Sequence, residues 1–298
     1  MRSRTSTTPS CSTTSDASTV WPPALSPGAR VHVVAPSSPF EAVLAWRGLG
    51  FLARRYRLRF EREGLFVRRG YLAGDDARRK AELEAALADP DVRAIVAARG
   101  GYGASRFVHE IAWETLRARP KWIVGFSDIT ALHVEAARVG VASIHGCHVT
   151  SLGRSDARAH AGIVDVLEAP AAERRFTGLA TLCPGRAEGR LFGGNLTLLH
   201  ACAAAGRLFV PEGAVVFLED VTERPYRIDR MLTTLLVGGH FERASAVVLG
   251  EFTDCPPGPD RVRVEDVLRE RLALLGIPVV SGLPCGHGRV NEPLVLGA

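Results

Sequence analysis

The stretch VRAIVAARGGYGASRFVHEIAWETLRARPKWIVGFSDITALH, residues 92–133, decides the fold class. It holds two short apolar runs, 92–98 and 122–125, and each run leads into a turn that contains glycine. An apolar run bounded by turn residues predicts a buried strand. A helix is predicted between the runs, from about 104 to 118, and another opens at Asp128. Strands that alternate with helices in this way predict a parallel sheet with helices on both faces.

The same alternation continues on both sides of this stretch. Upstream, residues 30–35 predict a strand, and residues 75–89 predict a helix that stops at Pro90. Downstream, strands are predicted at 215–218, 246–249 and 278–280, and helices at 229–237 and 265–275. We therefore expect a disordered leader (1–29), an α/β domain (30–153), a linker (154–184) and a C-terminal domain (185–298).

Composition excludes several classes of protein. The 298 residues are 46% hydrophobic and 23% charged, and no apolar run approaches the roughly 20 residues of a membrane-spanning helix. The net charge is +5, but the basic residues are spread along the chain rather than clustered. We therefore expect neither a nucleic-acid partner nor a membrane partner. Six scattered cysteines without a CxxC pair predict neither a zinc site nor a disulfide framework, which favours a reducing, cytoplasmic location.

The segment Gly125-Phe126-Ser127-Asp128 lies between a predicted strand and a predicted helix. A sharp turn at such a place exposes a serine hydroxyl and directs the next backbone N–H to the same side, where it can stabilise an oxyanion. The pattern G-x-S-x-G is incomplete, because Ile129 stands at the position of the second glycine. The structural alternative is that Ser127 or Asp128 caps the helix that follows.

The loop Arg99-Gly100-Gly101-Tyr102-Gly103 follows the preceding strand, at the sheet edge where open α/β proteins bind ligands. Glycines allow backbone N–H groups to approach a substrate oxygen closely. Two alternatives stay open, a plain turn and a phosphate-binding loop, although the complete motifs of phosphate-binding loops are absent.

Three further places carry residues that suit chemistry. His145 and His148 are spaced like two metal ligands, but no third ligand stands nearby, so we interpret them as a structural pair and expect no metal. His287 lies between two glycines after a predicted strand, where an exposed imidazole can accept and return a proton. Glu219 ends an apolar strand and can orient such an imidazole. In the alternative interpretation, Glu219 and Asp220 are both solvated at the strand end.

A set of segments is more informative together than singly. They are APSSP (35–39), YLAGDD (71–76), ARGGYGASR (98–106), GFSDITALH (125–133), HG (145–146), GGNLTLL (193–199), LEDVTERPYRIDRML (218–232) and GHGRVNEPLVLG (286–297). In these segments and their order, the chain resembles the LD-carboxypeptidases, or muramoyltetrapeptide carboxypeptidases, a family of serine peptidases. The resemblance spans roughly residues 30 to 297. It implies an amidotransferase-like α/β domain with a parallel sheet, which carries the serine, and a smaller β-rich C-terminal domain.

The resemblance also implies roles for individual residues. Ser127 matches the nucleophile, His287 the general base and acid, and Glu219 the carboxylate that orients the histidine. The oxyanion donors correspond to the turn at 100–101 and to the N–H of Asp128. The implied reaction releases terminal D-alanine from a murein tetrapeptide by hydrolysis of an L,D-peptide bond, in peptidoglycan recycling, with no cofactor. The family also suggests a homodimer.

Substrate recognition and two other functions stay open. A carboxypeptidase binds a free carboxylate, for which arginine is the natural bidentate partner. The candidates are Arg190, Arg224, Arg227 and Arg289. One alternative is a microcin-immunity peptidase that cleaves a nucleotide-peptide antibiotic, although no aromatic-bearing insertion is evident between residues 206 and 261. The other is a muropeptide-binding module without turnover. Cys147 departs from the family, in which a proline is expected after His145-Gly146.

Overall fold

The computed structural model describes residues 19–298 and contains two sheets. The strands are β1 (Arg30–Val34), β2 (Arg57–Arg59), β3 (Val92–Ala97), β4 (Trp122–Gly125), β5 (Ser143–His145), β6 (Ala180–Cys183), β7 (Leu191–Asn195), β8 (Val215–Val221), β9 (Ala246–Thr253), β10 (Val279–Ser281) and β11 (Leu294–Leu296). The helices are α1 (Ala42–Ala53), α2 (Arg62–Leu65), α3 (Asp76–Ala88), α4 (Glu114–Ala118), α5 (Thr130–Arg138), α6 (Val149–Leu152), α7 (Ala157–Glu168), α8 (Leu196–Ala204), α9 (Pro225–Val237) and α10 (Val264–Ala273).

The first sheet, sheet A, has the strand order β11-β5-β4-β3-β1-β2, and the second, sheet B, has the order β6-β10-β9-β8-β7. Sheet A is parallel apart from the pairing of β11 with β5, and sheet B is parallel apart from the pairing of β6 with β10. The predicted α/β class with a parallel sheet is therefore confirmed. Strand β11 comes from the C-terminal end of the chain but completes sheet A, so the chain crosses between the two sheets twice.

Helices cover both sheets with apolar side chains. On one face of sheet A, α1 and α6 contribute buried residues such as Leu52 and Val149, and on the other face α3 and α5 contribute Leu83 and Leu132. Helices α8, α9 and α10 pack on sheet B. Val134 of α5 belongs to the same apolar cluster as the residues of sheet B and its helices. Helix α5, which begins beside Ser127, thus contacts the cores of both sheets.

Two segments contain elements that differ from those expected. The segment expected as a linker, 154–184, contains α7 and β6. Helix α7 forms because Asp156 caps it by accepting hydrogen bonds from two backbone N–H groups, and because Ile163, Val166 and Leu167 bury one face. The helix predicted from about 104 to 118 is instead two 3-10 turns followed by the short α4. Here the indole N–H of Trp113 donates to the carbonyl of Val108 over 2.8 Å, an acceptor that a continuous helix would use.

The leader prediction also needs correction. Residues 1–18 lie outside the described residues, but residues 19–29 pack against the fold. Leu25 is buried, and the indole N–H of Trp122 donates to the Pro23 carbonyl over 2.9 Å. Val20 forms backbone hydrogen bonds with Gly140 and Ala142. The Ser/Thr/Pro composition does not reveal these contacts, because the hydrogen bonds join residues that are 99 to 122 positions apart in the chain.

No helix among residues 19–298 has both the length and the apolar character that crossing a bilayer requires.

Candidate active site

Ser127 lies directly after β4 in a strained backbone conformation. Its φ is 64°, in the left-handed region that residues other than glycine rarely occupy. Such a conformation costs about 1–3 kcal/mol and persists only where its surroundings enforce it. Ser127 opens a 3-10 turn of three residues, and α5 begins only at Thr130, with Ile129 at the N-cap position. The alternative in which Ser127 or Asp128 caps this helix is therefore wrong.

The glycine loop after β3 lies against Ser127. A Cβ atom at Gly100 would lie 2.8 Å from the Cβ of Ser127 and 3.2 Å from its Oγ. The loop can therefore approach the serine this closely only because residue 100 has no side chain. Gly101 has a φ of 103°, and a Cβ there would meet Ser38 Oγ at 2.5 Å. The backbone N–H of Asp128 belongs to the first turn of a helical segment, where donors lack a partner within the helix. These groups suit the stabilisation of an oxyanion.

His287 and Glu219 form a direct pair. His287 Nδ1 donates to Glu219 Oε2 over 2.7 Å. An ionised carboxylate only accepts hydrogen bonds, so the proton lies on Nδ1, and Nε2 is the nitrogen that can take a proton. The His287 ring centroid lies 4.8 Å from that of Phe126, the neighbour of Ser127. The imidazole and the serine turn (residues 125–128) therefore line the same region, although 160 positions separate Ser127 from His287 in the chain.

The acidic residues at the end of β8 are not solvated, so that alternative is also wrong. Glu219 is completely buried, and Asp220 is 2% exposed. Asp220 accepts hydrogen bonds from Asn195 Nδ2 over 3.0 Å and from the backbone N–H of Thr197 over 2.9 Å. Asp220 thus holds the start of α8, while Glu219 faces His287.

His148 makes structural contacts, whereas neither ring nitrogen of the buried His145 has a hydrogen-bond partner among the described residues. His148 Nδ1 accepts from the backbone N–H of Ser151 over 3.1 Å, which caps α6, and its ring stacks on Phe126. Burial lowers the pKa of His148 to about 3 and the pKa of His145 well below its usual value, so both rings are neutral near pH 7. Among residues 19–298, no group of three or more histidine, cysteine, aspartate or glutamate side chains is arranged to hold a metal ion.

Residues that we did not identify from the sequence hold the loop that carries His287. Asn291 Oδ1 accepts from the Gly286 N–H over 3.1 Å, and the Glu251 N–H donates to the Cys285 carbonyl over 2.9 Å. The Glu251 carboxylate packs so closely on Gly288 that a Cβ there would overlap with Oε2. Burial raises the pKa of Glu251. The only sequence signal was an acidic residue after the apolar run of β9, which matches the position of Glu219 after β8.

The four candidate arginines differ in their contacts. Arg224 Nη1 donates to the Pro257 carbonyl over 3.1 Å, and Arg227 lies 3.6 Å from Glu223 Oε2. Arg190 and Arg289 are exposed. Arg289 is only two residues from His287 and is the candidate closest to the imidazole along the chain.

Two family descriptions match the chain. The LD-carboxypeptidase N-terminal domain matches residues 31–146, and the LD-carboxypeptidase C-terminal domain matches residues 188–298. Among curated proteins, the murein tetrapeptide carboxypeptidase of Pseudomonas aeruginosa is 37% identical over 234 residues, which cover 74% of this chain and 76% of that protein.

Solved structures show the same architecture. The muramoyltetrapeptide carboxypeptidase from Oxalobacter formigenes superimposes with a TM-score of 0.76 at 27% identity, over 90% of this chain and 92% of that chain. The microcin C7 self-immunity protein MccF, known from Escherichia coli, superimposes in its apo state with a TM-score of 0.81 over 92% of each chain. At 24% identity, the second match shows the fold alone.

Proposed function

Because the chain belongs to the LD-carboxypeptidase family, we propose that it is a serine carboxypeptidase that releases terminal D-alanine from murein tetrapeptides. The observation that carries the proposal is the hydrogen bond from His287 to the buried Glu219, next to the strained turn at Ser127. A buried carboxylate that fixes the tautomer of an imidazole beside a serine is the arrangement that activates a hydroxyl as a nucleophile.

The reaction proceeds in two halves. Ser127 Oγ attacks the carbonyl carbon of the L,D-peptide bond and passes its proton to His287 Nε2. The backbone N–H groups of the 100–101 turn and of Asp128 stabilise the oxyanion, and Glu219 stabilises the imidazolium. His287 then protonates the amine of the departing D-alanine. In the second half, a water molecule gives its proton to His287 and attacks the acyl-enzyme, which regenerates Ser127 and releases the tripeptide.

The proposal extends to the setting of the enzyme. It acts in the cytoplasm, in peptidoglycan recycling, and as a homodimer. The five cysteines among residues 19–298 are all free thiols, which supports a reducing compartment. Light scattering on the purified protein tests the dimer. An arginine, with Arg289 as the first choice by its position, binds the terminal carboxylate of the peptide.

The test is product analysis on defined peptides. Purified protein is expected to release D-alanine from a murein tetrapeptide and to leave the analogue with terminal L-alanine intact, and Ser127→Ala is expected to abolish release. A sulfamoyl-linked aminoacyl adenosine is included as a second substrate. Cleavage of that compound without D-alanine release would assign the microcin-immunity reaction, whereas tight peptide binding without turnover would assign a binding module.

A further inference from the structure

The side chain of Asp128 has no role in the mechanism above, which uses only its backbone N–H. Asp128 is completely buried behind Ser127. Its Oδ2 accepts two hydrogen bonds, from Ser37 Oγ over 2.6 Å and from the backbone N–H of Ala104 over 2.8 Å. Ser37, Ala104 and Asp128 follow β1, β3 and β4, three neighbouring parallel strands of sheet A. One carboxylate thus joins three loops at the carboxyl edge of the sheet.

Two of these loops are also joined directly to each other. Ser38 Oγ accepts from the Tyr102 N–H over 3.0 Å, and the Ser38 N–H donates to the Gly100 carbonyl over 3.3 Å. The backbone from Gly100 to Ala104 is therefore held at its start by Ser38 and at its end by Asp128. This segment contains Gly100, which contacts Ser127.

The surroundings require an acceptor at this place. Arg79, also completely buried, donates to the Pro36 carbonyl, pairs with Asp76 and packs on the ring of Phe107. A Cβ at Gly103 would lie 2.5 Å from Arg79 Nη1, so the guanidinium packs directly against the same loop. Without the Asp128 carboxylate, the Ala104 N–H and the Ser37 hydroxyl would lose the acceptor that they share, and a buried donor without a partner is costly.

We propose that Asp128 is a positioning residue whose carboxylate holds the 36–38 and 100–104 loops so that the oxyanion donors face Ser127 Oγ. The inference rests on the proposed function, because it assigns a role within the same site. In this role, Asp128, the residue next to the nucleophile, determines where the oxyanion donors lie. The serine turn and the glycine loop are thereby coupled.

The test compares variants by two measurements. The first is the rate at which a fluorophosphonate labels Ser127, read by intact mass, since this reaction also needs the oxyanion donors but not the murein substrate. The second is the steady-state release of D-alanine. Asp128→Ala is expected to lower the labelling rate and kcat about 10²–10³-fold, with KM changed less than about threefold. Asp128→Asn, whose amide oxygen accepts both hydrogen bonds, is expected to stay within about tenfold of the wild type.

Two further variants separate positioning from stability. Asp75→Ala removes a carboxylate that caps α3 away from Ser127, by a 2.8 Å bond from the Arg78 N–H, and is expected to lower the melting temperature without changing the labelling rate. Ser37→Ala removes one of the two donors to Asp128 and is expected to slow labelling about 3–10-fold. This variant decides the matter if Asp128→Ala does not fold.

The outcomes distinguish the two proposals. If the wild type is labelled at Ser127 but releases no D-alanine, the proposed substrate is wrong, and the labelling rates still test Asp128. If folded Asp128→Ala, or Ser37→Ala, is labelled at the wild-type rate, the positioning role is overturned while the proposed function stands.

Discussion

His287 Nδ1 donates to Glu219 Oε2 over 2.7 Å, and the two residues are 68 positions apart in the chain. Glu219 is completely buried at the end of β8, whereas 16% of the His287 side chain is exposed. Little solvent is therefore available to stabilise the charge of the carboxylate. Its electrostatic interaction with His287 is most favourable when the imidazole becomes positively charged. The imidazole remains accessible to a substrate on its other side.

Glu219→Gln tests the orientation of the imidazole. The amide is isosteric but uncharged, so it does not favour the proton on Nδ1 as a carboxylate does, and it does not stabilise the imidazolium that forms in the reaction. We expect kcat to fall roughly 10³–10⁴-fold. Kinetics of D-alanine release measure this, with a melting curve to show that the variant is folded. A kcat within a few-fold of the wild type would mean that Glu219 does not set the tautomer.

The left-handed backbone at Ser127 predicts a difference between two inactive variants. Both Ser127→Ala and Ser127→Gly lose the nucleophile, but only glycine adopts a φ of 64° without steric cost. We expect the free energy of unfolding of Ser127→Gly to be about 1 kcal/mol higher than that of Ser127→Ala, so the glycine variant is the more stable one. Urea denaturation of the pair measures the difference. If Ala is the more stable of the two, the backbone at this position is not strained.

Gly100→Ala tests the approach of the glycine loop to the serine. The new Cβ would lie 2.8 Å from the Cβ of Ser127, so the loop and its N–H groups must move. We expect kcat to fall about 10²-fold or more. The matched control is Gly50→Ala, within the exposed part of α1, where a Cβ meets nothing within 4 Å. It is expected to keep full activity and to gain about 0.5–1 kcal/mol of stability. Equal activity in both variants would contradict the contact.

Buried histidines predict how stability depends on pH. Burial lowers the pKa of His133 from 6.5 to about 4 and that of His148 to about 3. The unfolded chain binds these protons below pH 6.5 and the folded chain does not, so stability falls as the pH drops from 6.5 towards 4. Burial raises the pKa of Asp128 to about 6, which acts in the opposite direction over pH 6 to 4. Other buried carboxylates act in the same direction as Asp128, so the contribution of a histidine is measured by substituting it.

The contribution of one histidine can be isolated. His133 Nε2 donates to the Gly125 carbonyl over 2.9 Å, and Nδ1 accepts from Ser143 Oγ over 2.9 Å. A pKa shift of this size corresponds to about 3 kcal/mol between the ends of the pH range. His133→Gln is therefore expected to show a shallower loss of stability from pH 6.5 to 4 in urea denaturation, whereas His109→Gln, on the surface, is expected to keep the wild-type slope. Identical slopes for all three proteins would exclude His133 as a source.

Leu25→Ala tests the packing of residues 19–29. Leu25 is 4% exposed and belongs to the apolar cluster on one face of sheet A. Its truncation is expected to cost about 2–4 kcal/mol, because a cavity opens in a packed core. Chemical denaturation measures the loss, and Val43→Ala, on the exposed side of α1, is the control with little expected change. A loss below about 0.5 kcal/mol would show that the segment is not part of the core.

Local patterns predicted much of the architecture. The helix predicted at 75–89 is α3, with Asp75 at its N-cap, and the strand predicted at 122–125 is β4. Both depend on apolar spacing and capping within a few residues, which is information that a short segment contains. The helix predicted at 104–118 was wrong because the Trp113 indole competes for a helix acceptor, a contact that spacing does not reveal.

The sequence by itself determined the alternation of strands and helices and the glycine-flanked turn at Ser127, because these follow from hydrophobic period and backbone sterics over a few residues. Only the tertiary structure decided that Glu219 is buried and meets His287, that Asp128 ties three loops together, and that β11 returns to sheet A. These features join segments that are remote along the chain. Their free energy comes from burying groups against one another, and it exists only once the sheets have assembled.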